Sequence, residues 1–468
     1  MSDYLPTIGL EVHAELKTRT KMFCDSRNDP DETRPNVNIC PICMAHPGTL
    51  PVINKEAVRH VLRVGLALDG ELADFTEFDR KNYFYPDIPK GYQISQYKYP
   101  LIKGGTLNGI AVTRVHLEED TARSLHENPD RSLIDFNRAG LPLMELVTEP
   151  VIHESKDAVA FAKELQLLLR TLKAGDANME KGEMRVEANV SVGKDGKLGT
   201  KVEVKNLNSF RAVERAIEYE VKRQIEALEK GETVIQETRG WDDVGEKTFS
   251  QRLKEDSHDY RYFPDPDLPK LELSKIPEFD TEILKRGLPE LPWARRKRYS
   301  EELGIKKEDA SMYVAEEKLG KFFEDAIREF QADKKLIQLA SNYITSDLVG
   351  LYQGKEITID PHDFGALIQM IATTSVSSRG AKDILAIMVR AGGKPEEIGR
   401  DKGLLQKSDE ADLVTIIEGV IAQNAEVADE YKAGKKTALQ FLIGQAMKAS
   451  KGSANPQFLK KLFVKNLG

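Results

Sequence analysis

Apolar and polar residues alternate from 7 to 13, with Ile8, Leu10 and Val12 set against Gly9, Glu11 and His13. A two-residue period predicts a strand with one buried face, so Glu11 and His13 share the other face. The run Ile110, Val112, Arg114 leads into a second such stretch, in which Val115 and Leu117 oppose Arg114, His116, Glu118 and Asp120. After a turn at Asn137–Gly140, strand spacing over 141–150 places Leu143, Glu145, Val147 and Glu149 on one side. Carboxylates in so apolar a segment are costly unless paired or bound to metal.

A three-and-four period predicts a helix over Lys55–Leu68. Ser155 reads as the N-cap of a helix to about Lys173, and Ser209 as the cap of another to about Lys230, before Gly231. Between them, strands Met184–Val192 and Thr200–Asn206 are joined by the hairpin signal Lys194-Asp195-Gly196-Lys197. Residues 236–269 are polar, aromatic and without period, which predicts a long functional segment outside regular structure. Prolines at 264, 266, 269, 277, 289 and 292 then punctuate the chain, and helical spacing takes over. The expectation is an α+β protein: a mixed, mainly antiparallel sheet domain over 1–293, an all-α helical domain over 294–405, and an all-α tail domain over 406–468.

Composition refines this picture. The chain has 468 residues, enough for several domains, and its formal net charge is -8. No apolar run is long enough to span a bilayer and no secretory signal is visible, so a cytoplasmic location is expected. The acidic balance disfavours a nucleic-acid binder until its distribution is considered. From Lys432 onward there are eight lysines and no acidic residue, which suggests that the tail meets a polyanion. Three cysteines, Cys24, Cys40 and Cys43, include a Cys-x-x-Cys pair and form a candidate zinc knuckle lacking a fourth thiolate. Asp25 and His46 are candidates to complete it, and reduced, metal-free thiols are the alternative.

Glu11, His13, Glu118 and Glu145, with Glu119, Asp120 and Glu149 in reserve, form a carboxylate-rich, thiol-free set suited to Mg²⁺. Such a set fits phosphoryl transfer, with Arg185, Lys205, Arg239, Arg252 and Arg261 as candidate cations for ATP phosphates. Residues 79–100 interleave rings and cations, among them Lys81, Tyr83, Phe84, Tyr85, Lys90 and Tyr97, a composition that suits base stacking or phosphate contact. No phosphate-binding loop, kinase motif set or serine nucleophile elbow is present.

Several motifs occur together in order: IGLEVH at 8–13, NYFYPDIPKGYQISQY at 82–97, VHLEED at 115–120, DFNRAGLPLMELVTEP at 135–150, and RVEANVSV at 185–192. EVKNLNSF at 203–210, ETRGWD at 237–242, HDYRYFPDPDLP at 258–269 and GQAMKASKGSANP at 444–456 follow. In these the chain resembles, nearly end to end, the B-subunit family of the aspartyl/glutamyl-tRNA(Asn/Gln) amidotransferases. The resemblance implies an ATP-dependent subunit that phosphorylates the side-chain carboxylate of Glu or Asp misacylated on tRNA. Ammonia from an amidase-type A subunit then gives the amide, with a small C subunit completing a heterotrimer. It implies a Mg²⁺ site at Glu11, His13, Glu118 and Glu145, with strand parity favouring Glu118 over Glu119. It also implies tRNA contact by the tail, at Lys448 and Lys451. Zinc-bearing members of the family carry a Cys-x-Cys pair where this chain has Cys24-Asp25-Ser26, which puts only the zinc in doubt. The rival reading is a non-catalytic tRNA-binding scaffold.

Overall fold

The computed structural model describes residues 4–468 except 129, 195, 254–259, 353–355, 407–409, 451–453 and 455, and leaves out the side chains of 126–128, 252–253 and 410–412. The chain divides into two compact units, Met1–Pro292 and Trp293–Gly468.

The first unit is built on Tyr4–Glu15, the middle strand of a large mixed sheet. Ile8, Leu10, Val12 and Ala14 are wholly buried on one face, while Glu11, His13 and Glu15 are half-buried on the other. On one side it pairs antiparallel with Pro142–Thr148, which pairs in turn with Ile110–Glu119. On the other it pairs antiparallel with Met184–Lys194, followed by Val202–Leu207, Glu237–Asp242 and Lys247–Leu253. Among the described residues only the pairing of Val202–Leu207 with Glu237–Asp242 is parallel, which makes the sheet mixed.

Register brings the polar faces together. His13 lies opposite Glu145 on one neighbour and Arg185 on the other, and Glu145 lies opposite His116. The strand Ile110–Glu119 contains a bulge, because Val147 faces Arg114 while Thr148 faces Val112, leaving Thr113 as the extra residue. One added residue resets the alternation. That is why Ile110 and Val112 are buried along with Val115 and Leu117, although their numbers differ in parity.

Helices Ser155–Thr171 and Phe210–Glu229 pack against each other, and the second lies on the strands Met184–Lys194 and Val202–Leu207. Ser209 caps its helix through the Ala212 N–H at 3.0 Å, as the sequence predicts. Ser155 does not cap: Glu154 holds that position without a side-chain bond, and the Ser155 hydroxyl donates to Glu218 instead. The hairpin expected after Met184–Lys194 is present, with Gly196 at φ +72° and the Lys197 N–H bonded to the Lys194 carbonyl. Residues 236–269 are more regular than their pattern suggests. Glu237–Asp242 and Lys247–Leu253 form an antiparallel edge hairpin whose turn is tied by Asp242 to the Val244 and Gly245 N–H groups. Alternation is hidden there because both faces of the pair carry polar side chains, one toward a cleft and one toward buried charge.

The second unit is helical. Tyr299, Tyr313 and Phe323 form an aromatic core within it, with Tyr313 and Phe323 stacked at 4.3 Å. Helices Glu410–Gln423, Ala425–Lys432, Lys436–Ala449 and Pro456–Leu467 share a separate cluster that includes Leu413, Ile417, Leu442, Leu459 and Phe463.

Candidate metal and phosphate site

The polar face of the central sheet, with Lys81 and Tyr260 from outside it, lines a cleft of about 400 Å³ containing His13, Glu118, Arg185, Glu187 and Lys205. At its floor, ligand atoms of His13, Glu118 and Glu145 lie within 4.8 Å of one another. His13 Nε2 is 3.3 Å from Glu145 Oε2 and 3.9 Å from Glu118 Oε1. His116, which sequence reasoning placed on this face but not in the site, joins them at 3.4 Å from the same Glu145 oxygen and 3.8 Å from Glu118. Ser95 donates to Glu118 Oε2, the oxygen nearer His116, at 2.9 Å, and the Gln96 side chain anchors the strand through the Leu117 N–H.

The electrostatics follow from this crowding. Burial works against charge on His116, but Glu145 and Glu118 outweigh it and hold the imidazole up at about 9. Burial likewise opposes ionisation of Glu145, yet the two histidines hold its carboxyl well below the usual range. Glu118 is lowered against its own burial by the Lys81 ammonium and by His116. Lys81 in turn stays protonated in a half-buried setting because Glu118, Tyr262 and Glu145 surround it. Strand alternation over Asp79–Asn82 was the available signal for Lys81, since Lys81 pairs with Gln93 and both side chains line the cleft.

Glu11 is the next polar residue along its strand, but it falls in a neighbouring trio. Its carboxylate groups with those of Glu187 and Glu203, and it accepts a hydrogen bond from Asn189 at 2.9 Å. Burial, Glu187 and Glu145 raise its pKa. Lys205 closes that trio with its ammonium 2.9 Å from Glu187 and 3.3 Å from Glu203.

The reserve carboxylates go elsewhere. Asp120 accepts twice from Arg185 at 3.0 Å and has Arg138 at 3.5 Å. Glu119 points away from Glu118, toward Lys90 and the Ile94 N–H. Glu149 accepts from Thr113.

Of the five expected phosphate cations, Arg185 and Lys205 line the cleft. Arg239 does not: strand alternation turns it to the opposite face, where it bonds Thr248 and Glu237 and lies 3.6 Å from buried Glu220. Arg261 is exposed at a positive φ of 40° and does not line the cleft. The Arg252 side chain lies outside the described residues. Arg114, 3.7 Å from Glu145, is a further cation that the pattern did not single out.

The donor set fits a hard divalent ion such as Mg²⁺: two carboxylates and an imidazole converge, and Nδ1 of both His13 and His116 is buried without a partner among the described residues. Charge is compatible with the same fit, because a dication can replace the protons that the two histidines hold beside Glu118 and Glu145.

The sulfurs of Cys24, Cys40 and Cys43 also lie within 4.8 Å of one another. Asp25 and His46 are not members of that group. The thiols therefore offer three of the four ligands a structural zinc takes. Cys43 accepts from the Cys40 N–H at 3.1 Å and has the wholly buried Lys21 ammonium at 3.8 Å. A hydrogen bond from Cys24, with Lys21 nearby, holds the Cys43 thiol down at about 4. Lys448 is exposed on its helix, and Lys451 lies outside the described residues.

Likeness to known proteins points the same way. The family described as GatB/GatE catalytic domain matches residues 6–276, and the one described as GatB domain matches 321–467. The chain belongs to this family. It is 41% identical to the B subunit of the aspartyl/glutamyl-tRNA(Asn/Gln) amidotransferase of Crocosphaera subtropica, over 100% of this chain and 98% of that protein. It is 43% identical to the protein of the same name from Thermoanaerobacter pseudethanolicus, over 99% of each. The matched catalytic domain contains every residue of the cleft described above. No helix among the described residues is long and apolar enough to cross a membrane.

Proposed function

We propose that this chain is the subunit that activates and amidates the side-chain carboxylate of Glu or Asp misacylated on tRNA(Gln) or tRNA(Asn), using ATP and ammonia from a glutaminase-type A subunit. A small C subunit completes the proposed heterotrimer. The observation that carries the reading is the His13, Glu118 and Glu145 cluster opening into a cleft whose walls hold Lys81, Arg185 and Lys205.

A carboxylate is a poor acyl donor to ammonia, so one of its oxygens must first be phosphorylated before it can leave as phosphate. The substrate carboxylate attacks the γ-phosphorus and ADP departs. Ammonia then attacks the acyl carbon, phosphate leaves, and the nitrogen sheds a proton. Positioning and charge neutralisation do most of this work. Lys81 and Lys205 stand where phosphate oxygens would enter and remain cationic in a half-buried setting, held so by neighbouring carboxylates. Arg185, fixed by Asp120, presents a rigid guanidinium to the same space. His13, Glu118 and Glu145, with Glu11 adjoining, would hold Mg²⁺, which when bound offsets charge on the phosphate oxygens.

The test is amidation of Glu-tRNA(Gln) and Asp-tRNA(Asn) by the assembled subunits with ATP and Mg²⁺. ATP-dependent product, abolished in Glu118→Ala while tRNA binding persists, is expected. Unchanged activity in Glu118→Ala and Glu145→Ala would sink the site, and tRNA binding with no ATP turnover under any subunit combination would favour a scaffold.

A further inference from the structure

Two of the rings lining the cleft begin aromatic ladders that run outward to solvent. On one side Tyr83, a cleft residue, stacks on Tyr85 with ring centroids 5.7 Å apart and planes at 13°. On the other, cleft-lining Tyr260 meets Tyr262 edge-on at 6.0 Å, and Tyr262 stacks on Tyr97 at 4.4 Å and 12°. Among the described residues each ladder ends in an exposed ring, Tyr85 at 55% and Tyr97 at 66%. Both begin beside the phosphate-binding wall, where the Lys81 ammonium sits 5.0 Å from the Tyr260 ring centroid.

The backbone holds these rings in place. Tyr83 and Tyr85 lie on the loop between paired strands Asp79–Asn82 and Tyr92–Ser95, closed by the Tyr83 N–H to the Gly91 carbonyl and the Ile88 N–H to the Tyr85 carbonyl. The loop is docked to the segment that follows Ile110–Glu119, where the Ala122 N–H donates to the Asp87 carbonyl. Tyr97 is fixed by its N–H to Asp79 at 2.9 Å. Large apolar faces held this firmly in water, with cations at their inner ends, match a ligand that offers successive flat rings along an anionic backbone. An ATP adenine offers one ring, whereas two separated stacks call for more than one base.

We propose that Tyr85 and Tyr97 are base-stacking platforms for the unpaired nucleotides at the acceptor end of the aminoacylated RNA, leading its aminoacyl group down to the carboxylate floor. This rests on the amidation reading for its substrate, but stacking can be observed apart from chemistry. The experiment uses the assembled amidotransferase and a tRNA whose terminal adenine is replaced by 2-aminopurine, a base quenched when stacked on a ring. Wild-type complex is expected to quench it. Tyr85→Ala and Tyr97→Ala should each weaken tRNA binding about tenfold, and the one whose ring carries the terminal base should also lose most of the quenching. Tyr97→Phe should behave as wild type, and the KM for ATP should stay unchanged throughout. A complex that amidates without quenching overturns the platform while leaving the amidation reading intact. Quenching that disappears in one alanine variant of a complex with no amidation supports the platform and counts against that reading. Equal quenching in wild type and both alanine variants overturns it.

Discussion

The two faces of the central sheet each bury a cluster of charge, and the clusters are built to opposite ends. On the helix side, wholly buried Glu220 takes two hydrogen bonds from Arg223, one from Gln224 and one from Thr248, with Arg239 at 3.6 Å. Both its oxygens are satisfied by groups of opposite or neutral character. On the cleft side, Glu118 and Glu145 face His13 and His116 at 3.3 to 3.9 Å, and both histidine Nδ1 atoms lack partners among the described residues. A buried charge locked in fixed ion pairs serves the fold. One balanced by imidazoles that can release their protons, at the floor of an open cleft, can exchange those protons for a cation from outside.

That contrast is breakable by mutation. The largest effect is expected from Glu145→Gln, which should cut kcat for ATP-dependent amidation by about a hundredfold to a thousandfold. Its melting temperature should barely move, because the histidines it leaves can give up their protons. Glu220→Ala should do the reverse: loss of about 3–5 kcal/mol of stability in denaturant titration, from arginines left unpaired, with kcat kept in the folded fraction. If Glu220→Ala abolished activity in folded protein, the division between the two faces would fail.

The cations sharpen the comparison further. Lys205→Met should raise the KM for ATP about tenfold, whereas Arg239→Met should leave it unchanged and lower stability instead. The smallest effect concerns Glu15, whose carboxyl burial and the neighbouring Asp120 push up to about 8. A pKa raised by folding means that the folded state binds the extra proton, so stability present below about pH 4.5 is lost as pH rises toward 8. Glu15→Gln should therefore be neutral near pH 4 and stabilising at pH 8.5, read from melting curves. A pH-independent difference would mean that Glu15 stays ionised.

Much of the cleft was legible from alternation alone. Glu11, His13, Glu118 and Glu145 each stood opposite apolar residues of their own strands, and parity separated Glu118 from Glu119. Alternation assigns a face but neither a distance nor a partner. It therefore did not show that Glu11 shares its nearest space with Glu187 and Glu203, or that His116 reaches the same Glu145 oxygen as His13. Alternation also fails to show that Arg239 turns from the cleft, because the helix face of this sheet holds charge of its own.

The amino-acid order by itself determined the sheet and helix segments, the division into a carboxylate face and an apolar face, and the family. Those depend on local periodicity and on motifs, which are written along the chain. Tertiary structure alone decided which charges are locked in fixed pairs and which are balanced by imidazoles beside an open cleft. The bulge at Thr113, the antiparallel register of Tyr4–Glu15 with its two neighbours, and the arrival of Lys81 from a separate hairpin set those pairings. Electrostatic partners are chosen by distances of a few ångströms between residues far apart in sequence, and the pattern along the chain carries no measure of those distances.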